Sequence, residues 1–130
     1  MERNRSFVVD SSVLVAFYDD NDILHTKSLE VAKEATDKII YLHPYIIQET
    51  STILTYKFGP AGAKRFLDNV TNSENIIIPF MEIKEEMEFF MKLNKKISFA
   101  DTALIKMSKE KGIPLLTFDK QMISILRNLK

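Results

Sequence analysis

The sequence predicts an α/β protein, a three-layer sandwich in which a central parallel sheet of about four strands is flanked by helices. Short apolar runs that favour β-structure alternate with longer segments whose apolar residues recur at helical spacing. No hairpin signal separates two successive strands. This pattern is typical of a parallel sheet covered by helices on both faces.

Four short apolar runs predict the strands. The first stops at Asp10, the second comes just before Pro44, the third is closed by Pro79 and the fourth ends at Asp119. In chain order the predicted strands are residues 7–9, 39–42, 75–78 and 113–118.

The remaining segments predict helices, because apolar residues recur in them with a period close to that of an α-helix. Pro44 suits the first turn of the third helix, which ends at Gly59 and Pro60. Ser98 begins the sixth helix, and Gly112 is the expected stop at its C-terminus. The predicted helices are residues 13–17, 25–35, 44–58, 61–70, 81–93, 98–111 and 122–126.

Composition narrows the class of protein. With 130 residues and 45% hydrophobic content, the chain has the length of one domain, residues 1–130, and enough apolar material for a core. Its apolar runs are far shorter than the roughly 20 residues that cross a bilayer, so neither a membrane span nor a signal peptide is predicted and a cytoplasmic location is expected. The chain has no cysteine and two separated histidines, so any metal is expected to be bound by oxygen.

Charge is balanced overall but uneven along the chain. The sequence has 18 basic and 18 acidic residues, yet residues 91–130 contain nine bases and three acids. This local excess is suited to attracting a phosphate backbone, and a solvated lysine face is the alternative interpretation.

Four acids are predicted to meet at one edge of the sheet. Asp10 and Asp119 each follow a strand, and the carboxyl ends of parallel strands share the edge at which ligands bind. Asp101 lies in the first turn of a helix that begins at this edge, and Glu49 lies about a turn and a half into the helix after the second strand. Because clustered like charges are costly without a cation, the arrangement predicts a site for Mg²⁺ or Mn²⁺.

Each acid also has an ordinary structural interpretation. Asp10 and Asp119 are suited to cap the helices that follow them. Ser98 and Asp101 match a capping box, and Glu49 is equally typical of an exposed helix face. The prediction of a site therefore depends on the four acids together rather than on any one of them.

The predicted site has a simple mechanism. Asp10, Asp101 and Asp119 would hold one or two metal ions, directly or through water, and Glu49 would complete the site or orient a water that attacks a phosphodiester in line. Neighbouring hydroxyl groups are expected to hydrogen-bond a carboxylate or a metal-bound water. These belong to Ser11, Ser12 and Thr117.

Four motifs carry these acids: Phe-Val-Val-Asp10-Ser-Ser, Ile-Gln-Glu49-Thr, Ser-Phe-Ala-Asp101-Thr-Ala-Leu-Ile and Leu-Leu-Thr-Phe-Asp119-Lys. In order, spacing and predicted context they resemble the motifs of the PIN-domain family, and within it the VapC-type toxins of bacterial and archaeal toxin–antitoxin pairs. The resemblance covers essentially the whole chain. Two departures are Ser12, where many members carry Asn, and the end of the chain at Lys130, where many members continue into a fifth strand.

The resemblance implies a sandwich of helices about a parallel sheet and Mg²⁺- or Mn²⁺-dependent endonuclease activity on RNA. It also implies frequent homodimerisation and a small antitoxin partner. Asp10, Glu49 and Asp101 match the main carboxylates of the family, and Asp119 matches its more variable fourth.

Three other functions stay open at this point. One is an RNA-processing nuclease without an antitoxin, and another is a PIN-like module that binds protein or RNA without catalysis. The third is phosphoryl transfer through an aspartyl nucleophile, as in haloacid-dehalogenase-like phosphatases. Those enzymes need a second Asp two residues after the first, where this chain has Ser12.

Overall fold

A parallel sheet forms the centre of the computed structural model, which describes residues 6–129. The strands of this part of the chain are β1 (Ser6–Val9), β2 (Ile39–Tyr41), β3 (Ile76–Ile77) and β4 (Leu115–Leu116). They form a sheet of four strands in the order β3-β2-β1-β4, and every neighbouring pair is parallel. The predicted parallel sheet is therefore confirmed, with β1 as an interior strand between β2 and β4.

β3 and β4 are clearly shorter than predicted, and β2 ends one residue earlier than predicted. β3 and β4 lie at the edges of the sheet, so each has one hydrogen-bonded neighbour. Pro114 has no amide hydrogen, although its carbonyl oxygen still accepts a hydrogen bond from the amide of Val8 at 2.9 Å. After Leu116 the backbone leaves the sheet, because Thr117 and Phe118 make contacts with the start of the first helix instead.

Seven helices occur in residues 6–129, close to the predicted positions. They are α1 (Ser11–Tyr18), α2 (His25–Ala35), α3 (Pro44–Phe58), α4 (Pro60–Asn72), α5 (Ile83–Leu93), α6 (Phe99–Lys111) and α7 (Lys120–Asn128). Pro44 occupies the first turn of α3 as predicted, and Gly112 ends α6 at a φ of 66°, in the left-handed region that favours glycine. In this part of the chain no helix is both long and apolar enough to cross a membrane.

The helices pack as two groups around the sheet. α3 contacts α1 and α4, and α1 also contacts α2, whereas α6 contacts α5, α7, β1 and β4. Val8 and Val9 are both buried although successive strand residues point to opposite faces, so both faces of β1 are covered. This confirms the predicted three-layer sandwich. The largest fully buried apolar side chains are Phe66, Leu42, Ile46, Leu54, Leu104, Ile105 and Met122.

Candidate active site

The carboxyl edge of the sheet holds the four acids that the sequence singles out. Asp10 directly follows β1, and Asp119 follows β4 after two residues. Asp101 lies in the first turn of α6, which begins at the same edge. Glu49 lies on α3, the helix that follows β2. The elements that carry the acids are therefore arranged as the sequence predicts.

Asp10 is almost completely buried and its carboxylate is held by three donors. The side chain is 4% exposed. Oδ1 accepts a hydrogen bond from the backbone N–H of Ser11 at 2.7 Å, which makes Asp10 the N-cap of α1. Oδ2 accepts hydrogen bonds from the hydroxyl groups of Ser12 at 2.9 Å and Thr117 at 2.7 Å. Asp10 thus caps α1 through Oδ1, and through Oδ2 it belongs to the hydrogen-bond network of the candidate site.

The hydroxyl groups of Ser12 and Thr117 join the start of α1 to the loop after β4. Each hydroxyl donates to Asp10 and also accepts a hydrogen bond from a backbone N–H of the loop after β4. Ser12 Oγ accepts from the N–H of Phe118 at 3.2 Å, and Thr117 Oγ1 accepts from the N–H of Asp119 at 3.0 Å. These bonds fix the position of Asp119 relative to Asp10. Ser11, by contrast, contributes its backbone N–H to this network.

Two of the acids lie at capped helix starts. Asp119 caps α7, because its Oδ1 accepts from the N–H groups of Gln121 at 2.9 Å and Met122 at 3.4 Å. Ser98 caps α6, because its Oγ accepts from the N–H of Asp101 at 3.0 Å. Asp101 takes part in this cap through its backbone N–H, so its carboxyl group can face the other acids.

Asp101 is affected by the charges of the other three acids. Its pKa is raised from 3.8 to about 6, mainly by burial and then by the charges of Asp10, Glu49 and Asp119, in that order of importance. A hydrogen bond with the side chain of Ser98 acts in the opposite direction and lowers this pKa. The other three carboxylates therefore lie within electrostatic range of Asp101 at this edge.

Glu49 has a carboxylate oxygen that no donor satisfies. Its Oε1 is buried and has no hydrogen-bond partner among the described residues. The side chain lines a groove between α3 and α6, together with Tyr45, Phe99 and Ala100. Because an unsatisfied buried carboxylate is costly, this oxygen suits a cation. Within residues 6–129, however, no three His, Cys, Asp or Glu side chains form a group that could hold a metal ion between them.

The raised pKa of Asp101 predicts how the metal-free protein responds to pH. Between about 4 and about 6 the folded state binds more protons than the unfolded state, so the free energy of unfolding should fall as pH rises through this window. Asp101→Asn should flatten that decline and make the metal-free protein more stable than the wild type at neutral pH. Urea unfolding in EDTA at a series of pH values measures both effects.

Asp20→Asn is the matched control for this measurement. Asp20 has a side chain that is 93% exposed, and its contact with His25 Nε2 at 3.7 Å is screened by solvent, so its replacement should change the pH dependence of stability far less than Asp101→Asn does. The same pH profile for wild type and Asp101→Asn would contradict the proposed coupling. Mg²⁺ at neutral pH should stabilise the wild type more than Asp101→Asn, because the cation offsets the repulsion that the substitution removes.

His43 is a residue at this edge that the sequence reasoning did not identify. It is fully buried, and its Nδ1 accepts from the N–H of Tyr45 at 3.0 Å, which caps α3. The proton must therefore lie on Nε2, which donates to Oε1 of Glu86 on α5 at 3.1 Å. Burial and the charge of Lys106 lower the pKa of His43 to about 4, so the ring is neutral. The sequence does carry a signal for this capping role, because His43 lies between a predicted strand and Pro44, which begins a helix.

Comparison with known proteins agrees with this architecture. The model of the PIN domain family matches residues 7–127. VapC20 from Mycobacterium tuberculosis, a sarcin–ricin loop cleaving toxin, has 18% sequence identity and a TM-score of 0.78, with 91% of this chain and 93% of that chain covered. PAE2754 from Pyrobaculum aerophilum has 18% identity and a TM-score of 0.64, with 96% and 87% covered. No curated protein sequence matches the chain.

Proposed function

The chain belongs to the PIN domain family, and we propose that it is an endoribonuclease that uses Mg²⁺ or Mn²⁺ to cleave RNA phosphodiesters. The observation that carries the proposal is the position of Asp10, Glu49, Asp101 and Asp119 on elements that meet at the carboxyl edge of the sheet, where the charges of the other three acids add to the burial that raises the pKa of Asp101. An acid with a raised pKa at the carboxyl edge of a parallel sheet is typical of a functional site.

Asp10, Asp101 and Asp119 would hold one or two metal ions, directly or through water, and Glu49, which has an unsatisfied oxygen, would complete the site or orient the attacking water. Mg²⁺ commonly keeps several waters and takes one or two carboxylates together with substrate phosphates. A site of this kind needs no group of three protein ligands, which is compatible with the arrangement of the described residues. When bound, the cation would polarise the phosphodiester and lower the pKa of a water molecule.

The chain's own residues would then position and align the reactants. Ser12 and Thr117 donate to Oδ2 of Asp10, so the carboxylate keeps its orientation when a substrate approaches. Asp101 would lose its proton more readily as a cation neutralises the surrounding charge. Glu49 would accept a hydrogen bond from the attacking water and so orient it for in-line attack.

The biological role that best fits the fold is the toxin of a toxin–antitoxin pair, acting in the cytoplasm as a homodimer with a small antitoxin as partner. Support comes from the family, from the motifs shared with VapC-type toxins and from the fold shared with VapC20. A short antitoxin-like reading frame beside the gene would support the toxin role, whereas its absence would favour RNA processing.

Metal-dependent cleavage of RNA by the purified protein tests the proposed activity. We expect labelled RNA to be cut in Mg²⁺ or Mn²⁺, cleavage to stop in EDTA, and cleavage to return when the metal is added back in excess. Undiminished cleavage in EDTA would contradict a metal-dependent mechanism. Failure to cleave any RNA, together with the absence of a heat signal in a calorimetric Mn²⁺ titration, would instead support a non-catalytic binding module.

A further inference from the structure

A groove between α5, α6 and α7 lies next to the carboxylate site, and we propose that it binds the phosphate backbone of a single-stranded segment of the RNA substrate. We call it the lysine groove, because Lys92, Lys95 and Lys109 line it around a floor that includes Phe89 and Ile125. The inference rests on the proposed nuclease function and extends it to the path of the substrate.

Within residues 6–129, no carboxylate lies within ion-pair distance of the three lysines of the lysine groove. Three carboxylates of α5 and α6 gather instead around the nearly buried Lys106, whose Nζ lies 3.2 Å from Glu110, 3.8 Å from Glu85 and 4.0 Å from Glu86. Within residues 6–129, Lys92, Lys95 and Lys109 make no such ion pair, and all three side chains are exposed. The groove therefore presents uncompensated positive charge to a polyanion.

Favourable interactions with helix dipoles explain only two of the three lysines in the groove. Lys92 and Lys109 lie in the last turns of α5 and α6, where cations offset the helix dipole. Lys95 lies beyond α5, after Asn94, which ends that helix with a φ of 51°. The dipole of α5 gives no reason for this third lysine to face the same groove as the other two.

The floor of the groove suits nucleotides better than simple anions. Phe89 and Ile125 are partly buried and pack against the hydrophobic core, so they offer an apolar surface between the cations. Nucleotides present charged phosphates beside apolar base faces, and aromatic and basic side chains together bind single strands in many proteins. Asn128, which also lines the groove, can donate to a phosphate or a sugar.

The lysine groove is continuous with the carboxylate site. Lys96, next to Lys95, accepts through its carbonyl oxygen a hydrogen bond from the side-chain amide of Gln121 at 3.5 Å. The backbone N–H of Gln121 donates to Asp119 Oδ1 at 2.9 Å. Lys95 therefore marks the end of the groove that lies nearest the acids, whereas Lys109, in the last turn of α6, lies at the end farther from Asp101 in the first turn of that helix. The approach of one end to the acids favours RNA as the occupant over an acidic peptide, which has no reason to approach the four carboxylates.

Salt dependence of RNA binding tests the inference. A labelled single-stranded RNA would be titrated in EDTA, so that no cleavage occurs, at salt concentrations from about 0.05 to about 0.2 M. The triple variant Lys92→Gln, Lys95→Gln, Lys109→Gln removes up to three phosphate contacts. We expect the slope of log Kd against log salt to fall by about 2, since each contact with a single strand contributes about 0.7.

The matched control removes the same charge from the other helix group. Lys33→Gln, Lys64→Gln, Arg65→Gln changes exposed cations of α2 and α4, and its slope should stay close to that of the wild type. Equal slopes for the groove variant and the control would overturn the inference. The inference would also be overturned if an acidic peptide bound the groove while the groove variant left the salt dependence of RNA binding unchanged.

The outcome is independent of the test of catalysis. Binding is measured without metal, so a change of slope in the groove variant stands even if the carboxylates prove not to cleave RNA. Conversely, if the groove variant and the wild type had the same salt dependence, the proposed path of the substrate would be wrong. The experiment on metal-dependent cleavage would be unaffected.

Discussion

Asp10→Asn should reduce metal-dependent RNA cleavage by more than about 100-fold, because even the hydrogen-bonding partners of a metal ligand are worth about 10- to 100-fold. Asn has almost the same shape as Asp but lacks the negative charge, so it is a poor ligand for Mg²⁺. It remains a good N-cap and can still accept from the N–H of Ser11. We therefore expect a folded protein that is inactive, as measured by cleavage rate and by thermal unfolding in the same buffer.

Asp20→Asn again provides the control, since it makes the same chemical change in an exposed side chain outside the proposed site. It should cleave RNA at the rate of the wild type. If Asp10→Asn retained full activity after the same purification, the acids at the sheet edge would not be the catalytic centre. A shift of the unfolding midpoint large enough to leave Asp10→Asn unfolded at the assay temperature would also contradict the expected result, which requires a native fold.

The fold was predictable because local and tertiary signals agree. Apolar runs without hairpin turns required crossovers, and crossovers made the sheet parallel and brought the acids that follow β1 and β4 to one edge. Pro44 and Gly112 placed helix ends correctly. The lengths of β3 and β4 were harder to predict, because an edge strand ends where the backbone finds other partners, as the N–H of Phe118 does with Ser12 Oγ.

The positions of the candidate residues were easier to predict than their contacts. The sequence placed Asp10 and Asp119 after strands and predicted that the hydroxyls of Ser12 and Thr117 would bind a carboxylate or a metal-bound water, but it did not show that both donate to the same oxygen, Oδ2 of Asp10. That arrangement depends on the distance between two loops that are far apart in the sequence. The unsatisfied oxygen of Glu49 is likewise a property of the packed structure. Helical periodicity placed Glu49 at the border of the buried stripe, but it could not predict which hydrogen bonds the carboxylate makes.

His43 and Lys106 illustrate what periodicity leaves out. Each is a polar residue at a buried position. Hydrophobic periodicity predicts that such a position is exposed to solvent or interrupts the helix. Glu86, the partner of His43, lies on α5, and Lys106 has partners both on α5 (Glu85 and Glu86) and on its own helix (Glu110). Burial of a polar group is tolerated when its hydrogen bonds are satisfied, and sequence spacing alone does not reveal partners on other helices.

Thr117→Val should lower RNA cleavage by about 10- to 100-fold, because it removes the hydroxyl that holds Asp10 and the backbone of Asp119 in register. Valine matches threonine in shape, so the packing at the end of β4 should be preserved. The loss should be accompanied by a higher concentration of Mg²⁺ for half-maximal activity, since a less fixed carboxylate is a weaker ligand. Initial rates at increasing Mg²⁺ measure both quantities.

Thr117→Ser distinguishes this positioning role from a general effect on stability. Serine keeps the hydroxyl and loses the methyl group, so it should retain most of the activity and the Mg²⁺ requirement of the wild type even if it is slightly less stable. An active Val variant, or a Ser variant as impaired as Val, would show that the hydroxyl does not position Asp10. Ser12→Ala should act in the same direction as Thr117→Val, and combining the two should cost less than the product of their separate effects, because both hydroxyls donate to Oδ2 of Asp10.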